Sequence, residues 1–176
     1  MKDNYLNIFR KEDYCPWRWP SNWPKNIKHF FRCFKYTYQR ATKGFSDWDR
    51  WDLDLFYNHL FVNSLREFAE KAMGYPGNEE FPTIESWQKY LNEMADLFEQ
   101  SIEGYETPKN PYEKEFEDMI CNPKRDLLQN INYPTPEEKA LSKKYYKAEQ
   151  KLAEYRENCH DKAMKMLKHV FGSLWD

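Results

Sequence analysis

Four carboxylates are spaced as a site that cleaves phosphates with a metal ion would space them. Glu67 and Glu70 stand three residues apart, and Glu93 and Asp96 repeat the interval further along the chain. On two facing helices, such i, i+3 pairs can hold a hard cation such as Mg²⁺ against a triphosphate. Helical phase argues against that use here. Wound at about 100° per residue, Glu67 and Glu70 lie opposite Leu65, Phe68 and Ala72, and Glu93 lies opposite Leu91 and Phe98. They should point to water rather than into a shared cleft. All-α nucleotide pyrophosphohydrolases also carry a leading glutamate where this chain has Arg66. The expectation is a protein that is not an enzyme and takes no cofactor and no metal.

The remaining constellations are weaker still. Asp47, Asp49, Asp52 and Asp54 scatter around a helix instead of converging, so capping and dipole compensation explain the first three. Asp54 falls on the Leu65 face, where a lone carboxylate is costly. Arg40, near the preceding turn, is its expected structural partner. His29 and Cys33 have the i, i+4 spacing of a helical metal pair and Cys15 offers a third ligand, but a fourth is missing. No Ser-His-Asp or Cys-His arrangement follows from four unconnected histidines. A basic stripe of Lys25, Lys28, Arg32 and Lys35, with Tyr36 beside it, has the makings of a phosphate-binding surface. It could equally pair with acidic residues of this or another chain.

These residues need helices to position them. A first helix is expected from about Pro24 to Thr42, with proline in its first turn and Gly44 just past its end. Ile27, Phe30, Phe31, Phe34, Tyr38 and Ala41 form its apolar face, opposite the basic stripe. The run from Gly44 to Gly74 holds no proline and no internal glycine. It reads as one central helix from about Trp48 to Met73, antiparallel to the first. Trp51, Leu55, Phe61, Val62, Leu65, Phe68, Ala69 and Ala72 make one apolar face, and Leu53, Phe56 and Leu60 a second, so burial on two sides is expected. Thr83 should cap a third helix from about Ile84 to Glu103, with Trp87, Leu91, Met94, Ala95, Phe98 and Ile102 inward. A short helix over about Pro111 to Ile120 precedes irregular chain to Asn132. Thr135-Pro136-Glu137-Glu138 is a capping box that should open a helix reaching about Phe171. Its seam of Leu141, Tyr145, Ala148, Leu152, Tyr155, Cys159, Ala163, Met166 and Val170 must lie along other helices or a partner.

The fold class is therefore all-α: a helical bundle with an N-terminal hairpin, a central buried helix and a long C-terminal helix. At 176 residues one domain over 24–176 is expected, large enough to bury about two-thirds of its unfolded surface. Residues 1–24 place three tryptophans among three prolines, which cannot continue a helix. They read as an arm whose indoles lie in grooves between helices. No apolar run is long enough for a membrane span, the first residues lack the apolar core of a secretory signal, and the four cysteines form no CxxC pair. A cytoplasmic protein with free thiols and no membrane partner is expected. The net charge of −2 conceals +7 over residues 1–45, −12 over 46–120 and +3 over 121–176. Such an asymmetry implies internal pairing or a surface with distinct poles.

Tyr38-Gln39-Arg40-Ala41-Thr42-Lys43-Gly44-Phe45-Ser46-Asp47, followed by Trp51-Asp52-Leu53-Asp54, resembles a family of small tailed-bacteriophage proteins. That family shares an Arg-x-x-x-Gly-aromatic turn, a Trp-x-x-Asp on the next helix, a break like Gly74-Tyr75-Pro76, a tryptophan-opened helix like Trp87 to Phe98 and a closing Leu-Trp like Leu174-Trp175-Asp176. The resemblance covers about residues 25–103 and 154–176. It implies a phage or prophage origin and an all-helical fold, and it supplies no activity and no catalytic residue. A phage protein without catalytic apparatus works by binding, and an inhibitor of a host defence factor such as a CRISPR effector is the leading expectation, acting in the host cytoplasm. Its acidic surface from Asp47 to Asp118 would occupy a nucleic-acid channel of that host protein. A nucleic-acid or nucleotide binder using the basic first helix, and a virion or packaging component, are the alternatives.

Overall fold

The computed structural model describes residues 5–9, 14–16, 18–121 and 135–174. Expectations for Trp17, for the stretch from Asn122 to Asn132 and for Trp175 fall outside them. Five α-helices carry the described chain: α1 Trp23–Lys43, α2 Leu53–Lys71, α3 Ile84–Gln100, α4 Glu113–Ile120 and α5 Pro136–Val170. Short 3-10 turns stand at Pro20–Asn22, Asp49–Trp51 and Phe171–Ser173. No strand occurs among the described residues, so the fold is all-α as expected. The chain divides into two compact units, Met1–Ser64 and Leu65–Asp176.

In the first unit α1 ends at Gly44, whose φ of +82° lets its N–H reach back to the Arg40 carbonyl at 3.0 Å. That is the left-handed cap a glycine permits. The line of α1 that becomes buried is not its apolar face. Asn26, Cys33 and Arg40 recur every seven residues and so share one side of the helix. All three engage the N-terminal segment. Asn26 accepts from the Cys15 N–H and donates to the Cys15 carbonyl, both at 3.0 Å. The Cys33 thiol donates to the Ile8 carbonyl, and Arg40 Nη1 donates to the Leu6 carbonyl. The segment thus runs antiparallel along α1, and helix side chains satisfy backbone groups that have no strand to pair with. Asn26 is 1% exposed, and its truncation strands the part-buried N–H and carbonyl of Cys15. Asn26→Ala should cost about 1–3 kcal/mol and accelerate hydrogen exchange at the Cys15 amide. Unchanged exchange there would show that the Asn26 bonds do not hold the segment.

Two expectations for this unit are corrected. The indoles of Trp19 and Trp23 are exposed rather than seated between helices, because the arm is anchored through its backbone. The central helix does not start at Trp48. Asp52 breaks it with φ −134° and ψ 64°, and Trp51, expected in the core, is 87% exposed. The break follows from Asp49, which must turn inward to meet Arg40.

α2 is not buried on both sides as expected, because Leu53 and Leu60 of its second strip are exposed. In the first unit it buries Phe56 and His59, the latter stacked on Tyr5 at 4.8 Å. In the second it buries Leu65 and Ala69, and Ala72 is buried just past its end.

The second unit is built on α3 against α5. Thr83 caps α3 through a reciprocal pair with Ser86, and Thr135 caps α5 through one with Glu138. Trp87, Leu91, Met94, Ala95, Phe98 and Ile102 on one side meet Leu152, Cys159, Ala163, Leu167 and Val170 as the buried core. Tyr90 adds a hydrogen bond from its hydroxyl to the Met166 carbonyl. The first half of α5 instead receives α4, with Phe116 stacked on Tyr145 at 3.9 Å between ring centroids.

Candidate functional site

One side of α1 is fixed by the N-terminal segment, and its expected core face is turned elsewhere. The expected core face, Ile27, Phe30, Phe31, Phe34 and Tyr38, is exposed, with Phe31 at 67% and Tyr38 at 69%. This corrects the sequence-based assignment, and the cause lies in the polar line. Asn26, Cys33 and Arg40 have specific backbone partners, and a helix can turn only one side inward. The aromatic strip is itself ordered. Phe9 meets Phe30 and Phe34 edge to face at 6.0 and 5.5 Å, and Phe30 meets Phe34 at 4.9 Å. Edge-to-face packing holds the rings in defined orientations while their outer faces stay open to water.

Next to the aromatic strip runs the basic one. Lys25, Lys28 and Arg32 are exposed and have no ionic partner among the described residues. Lys35 is different: its ammonium sits 2.7 Å from Asp47, which also accepts from Gln39 Nε2 at 2.8 Å. The Gln39 and Lys35 hydrogen bonds hold the Asp47 carboxyl below the usual aspartate range, and Asp47 in turn raises Lys35. So the basic stripe is spent internally at Lys35 and open at the other three positions. Tyr36 is half-buried beside Trp48, with ring centroids 6.3 Å apart, and is not part of the open stripe. The gap beside Tyr36 and Arg40 under the N-terminal segment is only about 10 Å³, so the inner side of α1 is filled.

The expected Arg40–Asp54 pair is also corrected. Arg40 binds Asp49, with Nε at 2.9 Å and Nη2 at 2.5 Å from the two carboxylate oxygens. The same carboxylate accepts from the Ser46 N–H at 2.7 Å and the Ser46 hydroxyl at 2.8 Å. Asp54, in the first turn of α2, is exposed. The loop after Gly44 turns back at once, so Asp49 reaches the last turn of α1 and Asp54 lies beyond it. The spacing of Ser46 and Asp49, and the seven-residue repeat of Asn26, Cys33 and Arg40, were the signals in the sequence for this arrangement.

The other candidates are placed as follows. Glu67 pairs with Lys71, Glu93 lies near Lys89, and Asp96 joins Glu99 on Arg66 at 2.8 and 2.7 Å. The four carboxylates are not brought to one point. Cys33 and His29 do meet, with Sγ 3.5 Å from Nε2, and the Cys15 backbone is held by Asn26. Among the described residues no three of His, Cys, Asp and Glu are gathered as metal ligands.

The chain matches no family model, no curated protein and no solved structure. On α1 the packed aromatic rings stand beside Lys25, Lys28 and Arg32.

Proposed function

We propose that this protein acts by binding another protein, with α1 laid into an apolar groove that has acidic groups along one rim. The observation that carries the proposal is the exposed strip of Ile27, Phe31, Phe34 and Tyr38, the i, i+4, i+7, i+11 order of anchors by which a helix reads a groove. Large aromatic side chains are what such interfaces concentrate their energy in. Lys25, Lys28 and Arg32, unpaired in the chain itself, supply the charge that an acidic rim would complement. Part of the acidic middle is spent within the chain, where Asp47, Asp49, Asp96, Glu99 and Glu106 are engaged by Lys35, Arg40, Arg66 and Arg156.

The resemblance to tailed-bacteriophage proteins supports a host protein as the partner, and obstruction of a defence factor such as a CRISPR effector as the consequence. The test is recovery of partners from host lysate by the full chain, compared with a Phe31→Asp/Tyr38→Asp variant and a Trp51→Asp control. A defined protein should bind the wild type and the control, and should bind the double variant at least about 30-fold more weakly, as loss of roughly 2 kcal/mol at a central anchor implies. Equal recovery by all three chains overturns the proposal. Salt-sensitive binding to nucleic acid, lost in Lys28→Glu/Arg32→Glu with no protein recovered, would instead favour the basic strip acting alone.

A further inference from the structure

The second unit holds a separate cleft of about 450 Å³ between the loop leading into α4 and the first half of α5. Four lysines line it: Lys109 from the loop, and Lys144, Lys147 and Lys151 from α5. The last three stand at i, i+3 and i+7 and so share a face. Tyr112 forms part of the wall. From this geometry we propose that the cleft binds a nucleotide, its phosphates held by the lysines and its base laid against Tyr112.

Three observations support a built site. The loop is locked to α5 by Asn110, itself 6% exposed, which donates to Glu149 Oε1 at 2.7 Å and to the Tyr145 carbonyl at 3.2 Å. The Asn110 side-chain oxygen accepts the Tyr112 N–H at 3.0 Å, which fixes where the ring begins. The charges are also uncompensated. Lys147 and Lys151 have no ionic partner among the described residues, Lys144 lies 6.0 Å from the Tyr112 ring centroid, and Lys109 reaches the Gly104 carbonyl. No Asp or Glu is among the described lining residues; the Glu149 and Glu113 carboxylates act on Tyr145 close by. Like charges gathered around one space repel, and a polyphosphate entering it removes that repulsion. Finally, the volume suits the ligand: small-molecule clefts run from about 300 to 1,000 Å³, which admits a nucleoside di- or triphosphate.

A free nucleotide and the end of a single strand present the same chemistry, so the experiment carries both. The full chain is titrated calorimetrically with ATP, with inorganic triphosphate and with a 5′-phosphorylated oligothymidylate. Saturable ATP binding that weakens with salt is expected, and Lys147→Glu/Lys151→Glu should weaken it at least ten-fold. Lys165→Glu, an exposed position further along α5, should leave it unchanged. Tyr112→Ala should weaken ATP and leave inorganic triphosphate as it was, which separates base contact from charge alone. Tighter binding of the oligonucleotide than of ATP would identify a strand as the natural ligand. Absence of binding at millimolar ATP, or binding indifferent to the double substitution in a chain of unchanged helicity, overturns the proposal.

Discussion

Asp49→Ala should unfold the first unit's organisation more than any other single substitution in it, at a cost of about 3–5 kcal/mol, the range for removing one partner of a buried ion pair. The carboxylate is fully buried and collects four hydrogen bonds, two from Arg40 and two from Ser46. Its loss leaves the Arg40 guanidinium, which also lies over the Phe56 ring at 5.0 Å, without its counter-charge. The pH dependence has a definite sign. Burial pushes the Asp49 carboxyl up, but the Arg40 hydrogen bonds and then the Ser46 N–H and hydroxyl bring it below the ordinary aspartate value. A depressed carboxylate contributes stability that is present above its unfolded value, about 3.9, and is lost as the pH falls through the folded one. The wild type should therefore lose protection on acidification below about pH 4, while Asp49→Asn starts lower and changes less. Hydrogen exchange along α1 reads this locally, which matters because a chain of two compact units has no guarantee of a single two-state melt. Equal protection of α1 in wild type and Asp49→Ala at neutral pH would show that the N-terminal segment, not this pair, holds the turn.

How much of this could be read from the sequence depended on whether an element's partners were apolar or polar. The caps were legible because they are local: Gly44 after α1, Thr83 before α3 and the Thr135/Glu138 box before α5 all appear in their expected roles. The inward face of α3, and Cys159, Ala163 and Val170 on α5, were legible because two helices bury matching apolar stripes, though Leu167 is buried where Met166 was expected. α1 failed for the converse reason. Its aromatic stripe predicts burial on hydrophobicity alone, yet its orientation is set by Asn26, Cys33 and Arg40, whose partners are backbone groups on a segment without periodicity. The same blindness produced Asp54 for Asp49. A helical wheel assumes the helix continues, and it cannot see that a buried ion pair stops it at Asp52. The error points outward to function. A stripe that looks like core and is not covered is the kind of surface that marks an interaction site.

Phe98→Ala and Phe31→Ala turn that contrast into a measurement, since the sequence assigns both residues to cores and the structure separates them. Phe98 is fully buried among α3 and α5 side chains and meets His160 edge to face at 6.1 Å. Truncation there removes transfer energy and leaves a cavity, a cost of about 3–5 kcal/mol. The loss should appear as faster exchange along α3. Phe31, at 67% exposure, has little burial to lose, so its truncation should stay within about 0.5 kcal/mol of the wild type, as ordinary surface positions do. The pair is more telling than either variant. If α1 were covered in solution by a second copy, Phe31→Ala would cost several kcal/mol in a concentration-dependent way, because subunit association stabilises by mass action. Dilution would then abolish the difference. A small cost at all concentrations would show that Phe31 is covered neither within the chain nor by a second copy of it.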